Sequence, residues 1–282
     1  MSIPERTTSD PSPRAATGAA QGGIAQGEPQ DPAARRHARR VLALSSLGAF
    51  VVFLDTTIVN VAFETISRSF HTTTGHLSWV LNIYSLVFAA ALIPAGRLAD
   101  RYGRKRVFLI GMTGFALMSA LCGLAPSATV LIIARGLQGA FAALTIPTSL
   151  ALVLPEFPPA RRPAAIGTWG TMAAAAAAVG PTLGALLIEY ASWRWIFLVN
   201  VPICALVLAV GLRLLRETRE QGARGIPDPV GAVLIAVIPA ALSLGIVEGP
   251  SWGWSSPRVI ASSSPSYCCR SSYGAPAPQP GP

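Results

Sequence analysis

The sequence predicts an all-α integral membrane protein, and three observations carry that prediction. Of its 282 residues, 51% are hydrophobic and only 12% are charged, whereas soluble domains carry about 25% charged residues. The apolar residues fall into runs close to the roughly twenty that a helix needs to cross the hydrocarbon core of a bilayer. Arginines concentrate in alternate segments between these runs, as they do in loops that stay in the cytoplasm.

Seven apolar runs are long enough to span a membrane as single helices. The first six form a predicted bundle over residues 41–214, and a cytoplasmic loop over 215–228 leads to the seventh. The predicted bounds of the runs are 41–63, 77–96, 107–125, 129–154, 164–188, 195–214 and 229–247.

The charge pattern gives this arrangement an orientation. Before Val247, the outer turns contain only Arg68 and Arg194 as cations, whereas every inner segment contains at least two arginines. The net charge of +9 follows from these loops, so it does not predict a nucleic-acid partner. We therefore expect a multi-pass protein of the cell inner (plasma) membrane, in contact with the lipid bilayer, with its amino terminus in the cytoplasm.

The two ends of the chain differ in composition from the apolar runs. Residues 1–40 are rich in Ala, Gly, Pro, Gln and charged residues and should form a disordered cytoplasmic tail. Residues 248–282 begin as an outer turn, and from Ala261 onward they form a low-complexity stretch with no apolar run. We expect that the reading frame is lost near Ala261; the alternative is a genuine short outer tail.

Asp55 in the first run and Arg135 in the fourth are the two ionisable residues that lie well inside predicted spans. Charges at such depth are costly and usually face a bundle interior or a water-filled cavity. At about 1.5 Å per residue, Asp55 lies about 21 Å above the inner end of its run, and Arg135 about 9 Å below the outer end of its run. In a core about 30 Å thick these are the same level, so the two side chains can interact. Such a pair either couples protonation of the carboxylate to substrate occupancy or only fixes helix packing.

Polar residues near this level indicate either a substrate cavity or hydrogen bonds between helices. Gln138 is three residues from Arg135 and shares its helix face, and Asn82 shares a face with Ser85. Asn82 and Gln138 are therefore candidate cavity residues, and interhelical packing is an equal alternative for both.

Small residues recur every four positions in the fifth run, at Ala176, Gly180 and Gly184, beside Pro181. This spacing lets two helices approach closely, and the Gly-Pro pair should bend the helix. The stretch is either a packing seam or a bend whose packing changes during transport.

A strongly basic loop joins the second and third runs. It reads Gly96-Arg97-Leu98-Ala99-Asp100-Arg101-Tyr102-Gly103-Arg104-Lys105-Arg106, with five cations and Asp100 as the one acid. Gly96 and Gly103 are spaced for a tight helix–loop–helix turn. The loop is either a marker of topology or a functional motif.

Catalytic and metal-binding constellations are not visible in the sequence. The four cysteines and three histidines show no metal-ligand spacing. A nucleophile–base set and a P-loop are also missing from it. The sequence therefore predicts neither an enzyme nor a bound cofactor or metal.

Several motifs, taken in order, resemble those of the major facilitator superfamily of secondary transporters, and in particular its fourteen-helix drug:proton antiporters. The basic loop resembles the motif Gly-x-Leu-x-Asp-Arg-x-Gly-Arg-Lys between the second and third helices of that superfamily. The other matching segments are Leu54–Ala62, Arg135–Gly139, Gly180–Gly184, Trp193–Pro202, Asp228–Ala232 and Glu248–Trp254. The fifth-helix antiporter motif usually has further glycines where this chain has Ala176 and Ala185.

The resemblance implies the amino-terminal six-helix half of a major facilitator fold plus one extra transmembrane helix, with the carboxyl-terminal half missing. It implies proton-coupled efflux of hydrophobic, often cationic, drugs or metabolites, with the proton gradient as energy source. The residues it implies in proton coupling are Asp55 and Arg135. Those of the antiporter motif are Gly180, Pro181 and Gly184.

The basic loop is implied to act as a conformational switch, because members of the superfamily transport by rocking two helical halves about a central site. In the family, this loop contacts the half that is missing here, so Asp100 and Arg104 would lack partners. The residues implied in the switch are Gly96, Asp100, Arg101, Gly103 and Arg104.

Two alternatives to an intact drug exporter stay open. In the first, the chain is not a transporter by itself: it is a truncated, non-transporting membrane fragment or a half that acts only by associating with another chain. Within transporters, a uniporter or symporter of the same superfamily is a further alternative, which Asp55 and the Gly180-Pro181 pair make less favourable.

Overall fold

A computed structural model of the protein describes residues 31–72 and 74–218. Within them the chain is helical and contains no strand. Six stretches of the described residues are long and apolar enough to cross a membrane, as predicted for residues 41–214. The helices are α1 (Pro32–Phe70), α2 (Thr74–Tyr102), α3 (Arg104–Gly123), α4 (Ala128–Val153), α5 (Arg162–Tyr190), α6 (Trp195–Leu198) and α7 (Asn200–Leu214).

The sixth stretch, Trp195–Leu214, consists of α6 and α7 together. The fold is thus that of an all-α integral membrane protein. The predicted extra helix over 229–247, the tail over 248–282 and residues 1–30 lie outside the described residues.

Helix α1 runs through the centre of the bundle and packs against α2, α4, α5, α6 and α7. Two clusters of buried apolar side chains surround it. The first includes α1 residues from Val41 to Val52, and the second includes α1 residues from Ile58 to Ile66. Asp55 therefore falls between two hydrophobic layers, where a charge needs partners from neighbouring helices.

Helix α1 begins earlier than the composition predicts, so the prediction of disorder through residue 40 is wrong for residues 32–40. Asp31 caps the helix by accepting a hydrogen bond from the amide of Ala33 at 3.0 Å, and Pro32 occupies the first helical position. Alanine and arginine are also strong helix formers. At His37 the extension contacts Glu156 of the turn after α4, with 3.7 Å between Nε2 and Oε2.

The turn between α2 and α3 is a single residue. Helix α2 continues through the predicted loop to Tyr102, and α3 starts at Arg104. Gly103 between them has φ +106°, a conformation that favours glycine. Gly96 lies inside α2, and a Cβ added there would meet nothing within 4 Å, so the prediction that Gly96 belongs to the tight turn is wrong.

Candidate functional site

Asp55 and Arg135 form a buried ion pair in the middle of the bundle. Nη1 of Arg135 lies 2.5 Å from Oδ2 of Asp55, and the two side chains are 1% and 0% exposed. Asp55 comes from α1 and Arg135 from α4. The contact predicted from their common depth is therefore present, and it joins the first and fourth membrane-spanning stretches.

Two amides complete the surroundings of the carboxylate. Oδ1 of Asp55 accepts a hydrogen bond from Nε2 of Gln138 at 3.1 Å and another from Nδ2 of Asn200 at 2.9 Å. Both amide side chains are fully buried. Each oxygen of Asp55 therefore has at least one donor, which is what a charge removed from water requires.

The guanidinium of Arg135 is held by α2 as well as by Asp55. Its Nη1 also donates to Oε1 of Gln138 at 2.9 Å, and its Nε donates to the carbonyl of Val80 at 3.3 Å. The ring of Tyr84 lies under the cation, with its centroid 4.1 Å from Cζ. Such a ring attracts a desolvated cation through its negative face. Arg135 is thus fixed in one orientation by groups from three helices.

Asn200 is a site residue that the sequence analysis missed. Its Nδ2 also donates to Oγ of Ser119 at 3.1 Å, which ties α7 to α3, and Ser119 donates to the carbonyl of Phe197 at 2.8 Å. The Oδ1 atom of Asn200 is buried and has no hydrogen-bond partner among the described residues. The available signal was a polar residue near the start of an otherwise apolar run.

These contacts form one polar cluster, defined here as Asp55, Arg135, Gln138, Asn200 and Ser119. It joins α1, α3, α4 and α7 and is sealed from solvent at every member. Within it the carboxylate and the guanidinium carry opposite charges. Protonation of Asp55 would therefore leave Arg135 as an uncompensated buried cation, which is a costly state.

Of the two candidate cavity residues, the structure brings only Gln138 to this cluster. Asn82 on α2 is half-buried, and none of the cluster's hydrogen bonds described above involves it. Ser85, which shares its helix face, donates to the carbonyl of Leu81 in its own helix at 3.4 Å. A cavity role for Asn82 stays a prediction.

The small residues of α5 pack directly on α1 beside Asp55. Ala176, Gly180 and Gly184 are all buried, and the hydroxyl of Thr57 donates to the carbonyl of Ala176 at 3.4 Å. A Cβ on Gly184 would lie 3.1 Å from the carbonyl oxygen of Ile58, and one on Gly180 would collide with the Thr57 hydroxyl. The predicted packing seam is therefore present, and it holds α1 two residues from the carboxylate.

Pro181 directly follows Gly180 of the seam, and its side chain is exposed. The helix is continuous from Arg162 to Tyr190 around it. A contribution of Pro181 to a bend that changes during transport stays a prediction.

In the basic corner between α2 and α3, Asp100 and Arg104 are paired with each other. Nη2 of Arg104 lies 3.1 Å from Oδ1 of Asp100 and Nε lies 3.3 Å from the same oxygen. The expectation that both would lack partners is wrong, because the single-residue turn at Gly103 brings the end of α2 and the start of α3 together. Arg101 is exposed and stacks on its neighbour Tyr102, with 5.5 Å from Cζ to the ring centroid.

Glu217, which follows α7, caps the start of α3. Its carboxylate accepts hydrogen bonds from the amides of Lys105 at 3.1 Å and Arg106 at 3.3 Å. An acid at this place satisfies free amides and meets the positive end of the helix dipole. Any Cβ at Gly103 would collide with the same carboxylate. The corner therefore requires glycine for space as well as for backbone conformation.

A sequence model of the Major Facilitator Superfamily matches residues 45–274, which is most of the chain. The chain belongs to the major facilitator superfamily. Among solved structures, the inward-facing crystal structure of a bacterial homologue of the human lysosomal transporter Spinster has the same fold, with a TM-score of 0.55 over 80% of this chain and 58% of that one. Its sequence identity of 19% supports the fold alone.

Curated relatives in this superfamily are drug-resistance proteins. The chain is 46% identical over 220 residues to the multidrug resistance protein Stp of Mycobacterium tuberculosis, covering 78% of this chain and 41% of that protein. It is 37% identical over 215 residues to the tetracenomycin C resistance and export protein of Streptomyces glaucescens, covering 76% of this chain and 40% of that protein. It is 41% identical over 223 residues to the methylenomycin A resistance protein of Streptomyces coelicolor, covering 78% and 46%. The chain thus spans less than half the length of these relatives.

Proposed function

We propose that the chain is the amino-terminal half of a proton-coupled exporter of small hydrophobic molecules. The observation that carries this proposal is the buried Asp55–Arg135 pair with its amide partners Gln138 and Asn200. A sealed carboxylate with one cationic partner is a group whose protonation changes the balance of the whole bundle. The relatives support antibiotics and other drugs as the substrate class, because they are a multidrug resistance protein and resistance proteins for tetracenomycin C and methylenomycin A.

The proposed coupling runs from the carboxylate to the helices around it. A proton on Asp55 cancels the charge that Arg135 faces and weakens the hydrogen bonds that Asp55 accepts from Gln138 and Asn200. Helix α1 is then less firmly tied to α4 and α7, while the α5 seam still holds it beside Thr57. The result is a change in the angle between α1 and α4, driven by the proton gradient and requiring no bound cofactor.

The proposed setting is the plasma membrane, with the amino terminus in the cytoplasm. The arginines at the ends of the spans support this orientation by the positive-inside rule. The corner around Asp100 and Arg104 then faces the cytoplasm, where a second helical half would meet it. In that assembly the Asp100–Arg104 pair exchanges partners as the two halves rock.

The experiment is drug efflux by a fusion of this chain to the carboxyl-terminal half of the Stp relative, in membrane vesicles with an imposed pH gradient. Ethidium serves as a hydrophobic cationic probe. We expect Asp55→Asn to abolish pH-driven efflux while membrane insertion is unchanged. The matched control is Glu64→Gln, which removes an exposed acid from the same helix. Retention of pH-driven efflux by Asp55→Asn contradicts the proposal.

The same fusion separates the alternatives. A uniporter would move ethidium down its concentration gradient regardless of the pH gradient. A partner-dependent half would transport only when the second half is present, whether fused or expressed as a separate chain. A non-transporting fragment would fail in both formats.

A further inference from the structure

A groove of about 850 Å³ lies between the beginning of α1 and the end of α7. Leu44 and Leu47 of α1 and Leu206 and Val210 of α7 line its length. This volume falls within the range of about 300–1,000 Å³ that is usual for ligand sites. The groove is open because its other wall residues on the two helices include Ala43 and Ala209, which leave space that larger side chains would fill.

Two arginines stand at one end of this apolar groove. Arg40 directly precedes the first predicted span and Arg213 is the last residue but one of the sixth, so both guanidinium groups are placed at the same membrane interface. Both side chains are exposed, and neither has an ion pair within the described residues. Arg104, Arg106 and Arg135, by contrast, each face an acid.

The combination of an apolar groove and two unpaired cations at its interfacial end is complementary to one class of molecule. An anionic phospholipid has a negative headgroup at the interface and acyl chains that run into the hydrocarbon. Basic pockets between transmembrane helices on the cytoplasmic side recognise such headgroups. A free anion would satisfy the arginines and leave the apolar walls uncovered, so it matches only part of the site.

We propose that this groove binds an anionic phospholipid of the cytoplasmic leaflet, with the headgroup between Arg40 and Arg213 and an acyl chain along the leucines. The choice of leaflet rests on the orientation given under the proposed function. The site is separate from the polar cluster, because Arg40 precedes Asp55 on α1 by about 22 Å of helix rise. Lipid binding is therefore measurable without any transport assay, and its failure leaves the transport proposal untouched.

The test is titration of the purified full chain in detergent with phosphatidylglycerol or phosphatidylcholine, with bound lipid measured by native mass spectrometry. We expect tighter binding of phosphatidylglycerol. The double variant Arg40→Gln/Arg213→Gln should lose this preference, since each arginine contributes on the order of fivefold to attraction toward an anionic lipid. Ala209→Phe keeps both charges and fills the groove, so it should weaken the binding of both lipids.

The matched control is Arg35→Gln/Arg161→Gln, which removes two other exposed arginines near the same end of the bundle. It should bind phosphatidylglycerol as the unmodified chain does. Equal binding of the two lipids, an equal loss in the control, or displacement of phosphatidylglycerol by inorganic phosphate would overturn the proposal.

The occupant is identified by photo-cross-linking of Ala209→benzoyl-phenylalanine in nanodiscs that contain both lipids. An adduct with phosphatidylglycerol supports the proposal. An adduct with another segment of this chain, with a second copy, or with phosphatidylcholine alone contradicts it.

Discussion

Asn200 at the start of α7 donates a hydrogen bond to the carboxylate of Asp55 in α1 across 2.9 Å. The two residues are 145 positions apart in sequence, and both are fully buried. The contact makes the sixth span part of the same polar cluster as the first and fourth. An amide side chain can stay hydrogen-bonded to a carboxyl group in both of its protonation states. Its NH₂ group donates to the ionised or the protonated carboxyl, and its carbonyl can accept from the protonated one.

The first prediction concerns this amide. Asn200→Ala removes one donor to Asp55 and should lower the free energy of unfolding by about 1.5–3 kcal/mol, the range for hydrogen bonds to charged groups. Denaturant titration of the purified chain in detergent measures the change. Asn60→Ala is the control, because Asn60 is exposed and donates only to its own helix at Thr56. Equal losses in the two variants would show that Asn200 is not a significant partner of the carboxylate.

The second prediction concerns the energetic coupling of Asp55 and Arg135. Asp55→Asn or Arg135→Gln alone leaves a buried charge unpaired, so each should cost about 3–5 kcal/mol of stability. The double variant should cost clearly less than the sum, and a double-mutant cycle measures the difference.

The exposed pair Glu64–Arg68 on the same helix α1 is the matched comparison. Its coupling should stay below about 1 kcal/mol, because solvent screens it. Additive losses at Asp55 and Arg135 would contradict the ion pair.

The third prediction concerns the α1–α5 seam. Gly180→Ala places a methyl group against the hydroxyl of Thr57 and should destabilise the bundle by about 1–3 kcal/mol. Gly167→Ala, on the same helix, meets nothing within 4 Å and should be neutral or stabilise by up to about 1 kcal/mol through helix propensity. The measurement is the melting temperature of each variant in the same detergent. An increase for Gly180→Ala would contradict close packing of α5 on α1 at Gly180.

The fourth prediction separates the two glycines of the basic corner. Gly103→Ala forces a side chain into a backbone conformation with φ +106° and against Glu217, so it should cost about 1–3 kcal/mol or more. Gly96→Ala lies within α2 with free space around it and should gain about 0.5–1 kcal/mol. The ratio of folded to aggregated protein after heating reports both changes. Matching behaviour of the two variants would mean that the corner is not built as described.

The sequence predicts the level of the ion pair because that level depends on two constants. Helix rise and bilayer thickness are nearly the same in every membrane protein, so depth follows from counting residues. Rotation of each helix about its axis does not follow from counting. The contacts of Arg135 with the carbonyl of Val80 and the ring of Tyr84 depend on that rotation, as does the approach of Asn200.

Helix ends were the least predictable part of the fold. Hydropathy locates the apolar core of a helix, whereas α1 starts at Pro32 and α2 ends at Tyr102, in polar segments held by capping and local ion pairs. The same cause explains Asp100 and Arg104. Their pairing depends on α2 and α3 meeting at Gly103, which an apolar count does not register.

Because α1 is long, a small tilt of the helix around Asp55 would produce a large displacement at its end. The helix has 39 residues and so extends about 58 Å, nearly twice the roughly 30 Å of hydrocarbon that it crosses. Asp55 sits near its middle, and Pro32 lies about 35 Å away along the axis. Tilting this rigid rod by about 5° around Asp55 would swing its first turn by about 3 Å. Asp55 is thus the point about which such a tilt would turn, and the longer end of the helix contacts Glu156 through His37.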